Sequence, residues 1–156
     1  MENQLPYPRL STCLPHEERH NFYDSFHKAL RLGHCRMLSA LGAEDFSDAA
    51  RSRALMNELR RLIALNRLHL ELEDMEVHAA LEARRPGAGQ AALQDDAGHV
   101  QALEELESLI RSVEVATQAR RSIAAQALYR CYALFAAADM SHMNEEETKL
   151  LGLLHQ

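Results

Sequence analysis

Residues 55–80 read LMNELRRLIALNRLHLELEDMEVHAA, and this stretch decides the fold. Leu, Arg, Glu, Ala and Met dominate it and no glycine or proline interrupts it, a composition that favours helix. Following the alternating three- and four-residue steps of a helix packed in a bundle gives Leu55, Leu59, Leu62, Asn66, His69, Glu73, Glu76 and Ala80. The stripe begins as ordinary apolar core and turns polar half-way along. Buried His and Glu are costly unless paired or bound to a metal, so the polar half needs a chemical reason.

Working outward, residues 16–85 and 87–156 hold no proline, and Pro86-Gly87-Ala88-Gly89 separates them. Pro6, Pro8 and Pro15 stand at the front. Pro15 suits a first helical residue, and Glu17 and Glu18 suit the positive end of a helix. A first helix is therefore predicted from Pro15 to Leu41, with Gly42 as its stop. Ser47-Asp48 offers a cap for a second helix that reaches Arg84-Arg85. A third is predicted from Gln90 to Ala116 and a fourth from Gln118 to the end. The expected fold is all-α: an up-down-up-down four-helix bundle over residues 15–156, with an irregular extension over residues 1–14.

The 156 residues suffice for one core, and 47% of them are apolar. Lys and Arg number 17 against 23 Asp and Glu, a net charge of −6 that argues against nucleic acid or an anionic membrane as the main partner. The pairs Arg60-Arg61, Arg84-Arg85 and Arg120-Arg121 read as solvated helix faces and helix-end cations. Cys13, Cys35 and Cys131 lack CxxC spacing and read as reduced, mostly buried thiols. The front has no apolar core of signal-peptide length, and no run approaches the roughly 18 apolar residues of a membrane span. A soluble, cytoplasmic protein is expected.

Nine histidines are the compositional anomaly. The inward stripe of the fourth helix is read as Leu128, Cys131, Phe135, Ala138, His142, Glu146, Lys149 and Leu153, so His142 and Glu146 repeat the H-x3-E spacing of His69 and Glu73. One helical turn puts both side chains of each pair on one face. The third helix offers Ala92, Asp95 or Asp96, His99, Leu103, Leu106, Ile110 and Val113. The first offers His20, Tyr23, His27, Leu30, His34, Met37 and Leu41. A lone inward His is usually a hydrogen-bonded core residue, but two H-x3-E pairs in register with an inward His on both other helices point to a metal site. The donor set suits iron, manganese or zinc, and most resembles a two-metal site between helices.

His20, His27 and His34 are seven residues apart, about 10.5 Å per step along a helix, so one metal level cannot use all three. His34 lies too near the loop at Gly42 to be level with His69; His20 and His27 fit the count equally. His78 points about half a turn away from His69 and reads as structural, and His155 as a terminal residue. His16-Glu17-Glu18-Arg19-His20 matches the HExxH of zinc proteases, but the short, proline-rich front cannot supply the sheet that motif accompanies. The inward Glu-x-x-His pairs of ferritin-like sites are missing, since only Glu17 and His20 have that spacing.

FHKALR around His27, HLELEDMEVHAALEARRPG from His69, and ALYRCYALFAAADMSHMNEEET ending at Thr148 resemble the hemerythrin-like, HHE cation-binding family. The resemblance covers residues 16 to 154. It implies a non-haem di-iron centre held by His27, His69, Glu73, His99, His142 and Glu146, with the two glutamates as bridging carboxylates. Many relatives carry a second His near the start of the third helix, where this chain has Asp95 and Asp96; either lies one turn from His99 and is a further candidate ligand. Leu70 and Leu72 stand where some relatives have extra polar ligands.

The expected function is that of a metal-binding module that reversibly binds or senses dioxygen, nitric oxide or iron, in a pocket walled by Leu30, Leu103, Phe135 and Met143. No side chain there is an obvious general acid, so binding is favoured over turnover. The alternatives are a redox-defence enzyme using the same centre on peroxide or nitric oxide, and a metal-free structural or dimerisation bundle. A homodimer stays open.

Overall fold

The structure, a computed structural model, describes residues 23–150, with side chains except at 88–96 and 150. The predicted extension over 1–14, the start of the first helix at Pro15, and His16, His20 and His155 lie outside the described residues. So do the side chains of Asp95 and Asp96.

Helix α1 spans Asp24–Ala43, α2 spans Ala49–Leu72, and α3 spans Ala79–Arg84. Helix α4 spans Ala88–Val115 and α5 spans Gln118–Glu145. A π-helical segment, Glu73–His78, joins α2 to α3 into one continuous rod, and a second, Glu146–Leu150, continues α5. The result is four helical rods, and no strand occurs among the described residues.

The ends of the rods follow local chemistry. The Asp48 carboxylate accepts hydrogen bonds from the backbone N–H groups of Ala50 at 2.8 Å and Arg51 at 3.1 Å, satisfying two donors that the first turn of α2 leaves open. Gly87 takes φ +90°, a left-handed conformation that favours glycine, and turns the chain after Pro86. Between α4 and α5, Ala116 and Thr117 adopt extended backbone, so the chain breaks there without glycine or proline. Gly42 does not stop α1. The helix runs to Ala43, and extended backbone at Glu44 ends it.

Helix α1 packs on α2 and α5, and α4 packs on the same two helices, so the core lies inside a closed ring of rods. Leu59, Leu103, Leu106, Ile110, Val113 and Leu128 fill it. Burying each such side chain contributes roughly 2 kcal/mol. A bidentate pair from Arg60 to Glu114, at 2.7 and 2.8 Å, ties α2 to α4, so Arg60 is a cross-link rather than a freely solvated cation. At Gly33, an added Cβ would stand 2.8 Å from Leu62 Cδ1. The tip of the Leu62 side chain on α2 occupies that space against α1.

Two predicted faces need correction. On α5, Cys131 and Ala138 are exposed, while Tyr132, Asp139 and Met143 are buried. Its outer side carries Ile123 and Leu134, so polarity alone does not mark the buried face. Cys35 is exposed as well, against the expectation of buried thiols. On the second rod, Glu76 is exposed and His78 is 3% exposed, because the wide turn from Glu73 shifts which residues face inward. Lys149 is also exposed. No helix among the described residues is long and apolar enough to cross a membrane.

Candidate metal centre

The centre assembles at the polar end of the ring, where both H-x3-E pairs lie. Glu73 opens one π-helical segment and Glu146 opens the other. Such segments widen the turn at a small energetic cost and concentrate at functional sites. Here they occur where each carboxylate enters the core.

One nitrogen or oxygen from each of His27, His69, Glu73 and Glu146 lies within 4.8 Å of the others, and all four residues are buried. His27 Nε2 faces His69 Nε2 at 3.1 Å. Glu146 Oε2 lies 3.4 Å from His27 Nε2, and Glu73 Oε1 lies 3.5 Å from His69 Nε2. Two imidazole nitrogens and two carboxylates thus converge on one point, drawn from α1, the second rod and the end of α5. This group could hold a metal ion.

Glu147 and Arg31 orient His27 from behind. Its Nδ1–H donates to Glu147 Oε1 at 2.7 Å, and the Arg31 guanidinium donates to the same oxygen at 2.8 Å. With its proton committed there, His27 presents the Nε2 lone pair to the centre, the arrangement in which an outer carboxylate fixes the tautomer of a metal-binding imidazole. Tyr23 stacks on His27 with ring centroids 4.8 Å apart, and Phe26 stacks on His69 at 4.9 Å. Burial lowers the affinity of His27 for a proton below its ordinary value, outweighing the opposing effects of the Glu147 hydrogen bond and the Glu146 charge. For His69, burial first and the neighbouring His27 second push the value down to about 4. Both imidazoles are therefore held neutral at pH 7, the form that binds a metal.

His99 and His142 form an adjacent pair rather than part of this four-donor group. Their ring centroids are 4.3 Å apart, and each is half-buried. His142 Nε2 lies 3.0 Å from Glu146 Oε1. The Glu146 carboxylate thus has one oxygen toward His27 and the other toward His142, linking the two groups. Its Oε2 is buried with no hydrogen-bond partner among the described residues. A buried carboxylate oxygen aimed between imidazoles fits a cation.

His34 is fully buried, and its Nε2 is 2.8 Å from Asp139 Oδ2 instead of joining His69. Its Nδ1 is 2.9 Å from the Tyr132 hydroxyl. His78 faces Asp74, with Nδ1 2.9 Å from Oδ1. The predicted wall residues Leu30, Leu103, Phe135 and Met143 are all buried. An apolar groove of about 390 Å³ between α4 and α5, lined by Leu106, Cys131, Leu134 and Phe135, runs to His99.

The sequence reading missed Asp139, Tyr132 and Glu147. Asp139 precedes His142 by three residues, one helical turn, which was the available signal. Burial tends to raise the carboxyl of Asp139, but the hydrogen bond from His34 and the nearby His99 and His142 hold it below its ordinary value. Burial drives the Tyr132 hydroxyl upward, so it stays protonated and acts as a donor.

Compared with known proteins, the chain matches no protein-family model, no curated protein and no solved structure.

Proposed function

We propose that the chain is a hemerythrin-like, up-down-up-down bundle that holds two non-haem iron ions and reversibly binds or senses a diatomic ligand, dioxygen or nitric oxide. The observation that carries this reading is Glu146, whose two oxygens face His27 at 3.4 Å and His142 at 3.0 Å. A carboxylate divided between two imidazole groups supports a two-ion reading, since one such group can be shared by two ions. His27, His69 and Glu73 would hold one ion, His99 and His142 the other, with Glu146 shared. Iron held there would supply the redox chemistry that binding of a diatomic ligand needs.

The residues of the chain do the rest. Glu147 holds the His27 tautomer, Leu30, Leu103 and Met143 exclude water, and the groove past Phe135 gives a small ligand a route to His99.

The test is iron quantification with an optical spectrum recorded anaerobically and after exposure to air. About two irons per chain and a new visible band on exposure are expected. Less than about half an equivalent, unchanged in His142→Ala, would remove the reading, because a six-residue donor set of this kind binds far more tightly than surface carboxylates do. Steady consumption of peroxide or nitric oxide by the iron-loaded protein would move it to an enzyme.

A further inference from the structure

We propose that Asp139 is a ligand of the second metal position, aimed at it by a buried hydrogen-bonded chain from Tyr132 through His34. This inference rests on the two-ion reading above and names the donor that the third helix does not visibly supply.

The Tyr132 hydroxyl is hydrogen-bonded to His34 Nδ1 at 2.9 Å. His34 Nε2–H donates to the Asp139 carboxylate, with Nε2 2.8 Å from Oδ2. One oxygen of Asp139 is thereby fixed. The other, Oδ1, faces His99 Nε2 at 3.8 Å, too long for a hydrogen bond and the separation expected of two donors flanking a shared cation. Asp139 is 4% exposed, and His34 and Tyr132 are as deeply buried.

The hydrogen bond from His34 engages one oxygen of Asp139 and leaves the other turned toward His99, a placement that suits a cation held between them. Asp139 also lies one helical turn before His142, so both side chains leave α5 on the same side, toward His99. His99, His142, Asp139 and the shared Glu146 would give the second ion four protein donors, two of them carboxylate. The chain from Tyr132 places Asp139 as Glu147 places His27: each centre-facing group is held by a hydrogen bond on the side away from the centre.

The experiment is a titration of the apo-protein with Co(II), followed by visible absorption and by bound metal after gel filtration, on wild type, Asp139→Asn, Tyr132→Phe and His69→Ala. Wild type is expected to take up two equivalents. Asp139→Asn should retain the first and bind the second at least 10-fold more weakly, and Tyr132→Phe should weaken the second roughly 10-fold while leaving the first unchanged. His69→Ala should show the opposite pattern, losing the first site. If wild type binds two equivalents and both Asp139→Asn and Tyr132→Phe do so with unchanged affinity, Asp139 is not a ligand and the two-ion reading stands. If wild type binds one equivalent or none, the two-ion reading falls and this inference with it. Should Asp139→Asn fail to give a folded helical protein by circular dichroism, Tyr132→Phe decides the question, because it removes only a hydroxyl.

Discussion

Glu146→Gln should stabilise the apo-protein and destabilise the metal-loaded one. The ligand oxygens of Glu73 and Glu146 lie within 4.8 Å of one another, and both residues are buried. At an effective dielectric constant of about 20, two unit charges at that separation repel by about 3.5 kcal/mol. Glutamine keeps the shape of glutamate, so the substitution removes charge more than packing. Taking about half of that repulsion as relieved by the substitution, a gain of about 2 kcal/mol is expected in the apo form, which raises the melting temperature of a chain this size by about 4–8 °C. With metal present the order reverses. A ligand at about 1,000 times its dissociation constant stabilises wild type by about 4 kcal/mol, and a variant lacking the shared carboxylate forfeits most of that. The assay is thermal unfolding by circular dichroism in excess chelator and in excess Zn(II), for wild type and variant side by side. A variant less stable than wild type in chelator, with the same metal-induced shift, would refute both the repulsion and the ligand role.

Three further outcomes follow from the same geometry. Glu147→Gln should weaken metal binding by about 10-fold in competition with a chromophoric chelator, because it removes the charge that holds His27 while leaving the ligands themselves in place; unchanged affinity would show that His27 needs no such support. Apo-protein stability should fall as pH drops. His69 has a folded-state value of about 4 against 6.5 ordinarily, so between those values the unfolded chain binds the proton more readily and stability rises with pH. Urea unfolding at pH 7 and pH 4.5 should differ by roughly 2–3 kcal/mol on this account, and equal stabilities would exclude it. Cys35 and Cys131 are exposed, so both should react with an aromatic disulfide reagent in the native protein, without denaturant. Reaction of either only after unfolding would contradict the placement of the outer faces of α1 and α5.

The spacing of His69 with Glu73 and of His142 with Glu146 was legible because a helical turn fixes which residues share a face whatever surrounds them. The same local rule found the inward run from His27 through Leu30 and His34 to Leu41, all buried. It failed on α5, where exposed Ile123 and Leu134 make the outer side as apolar as the inner, and a slip of one residue exchanged Cys131 for Tyr132 and Ala138 for Asp139. It failed at Glu76 because the periodicity assumes an uninterrupted α-helix, whereas the π-helical segment at Glu73–His78 resets the phase.

The sequence by itself determined that the chain is helical, where Asp48 starts a helix and Pro86-Gly87 turns the chain, and which histidine and glutamate pairs travel together. Those are properties of neighbours in the chain, set by backbone dihedrals and one-turn spacing. Only the tertiary structure decided which pairs meet. It brought His27 to within 3.1 Å of His69 across two helices, set Glu147 behind it, divided Glu146 between two imidazole groups, and turned Asp139 inward on His34. Those outcomes depend on how each rod is rotated about its axis when the apolar halves pack, a rotation that no local pattern specifies.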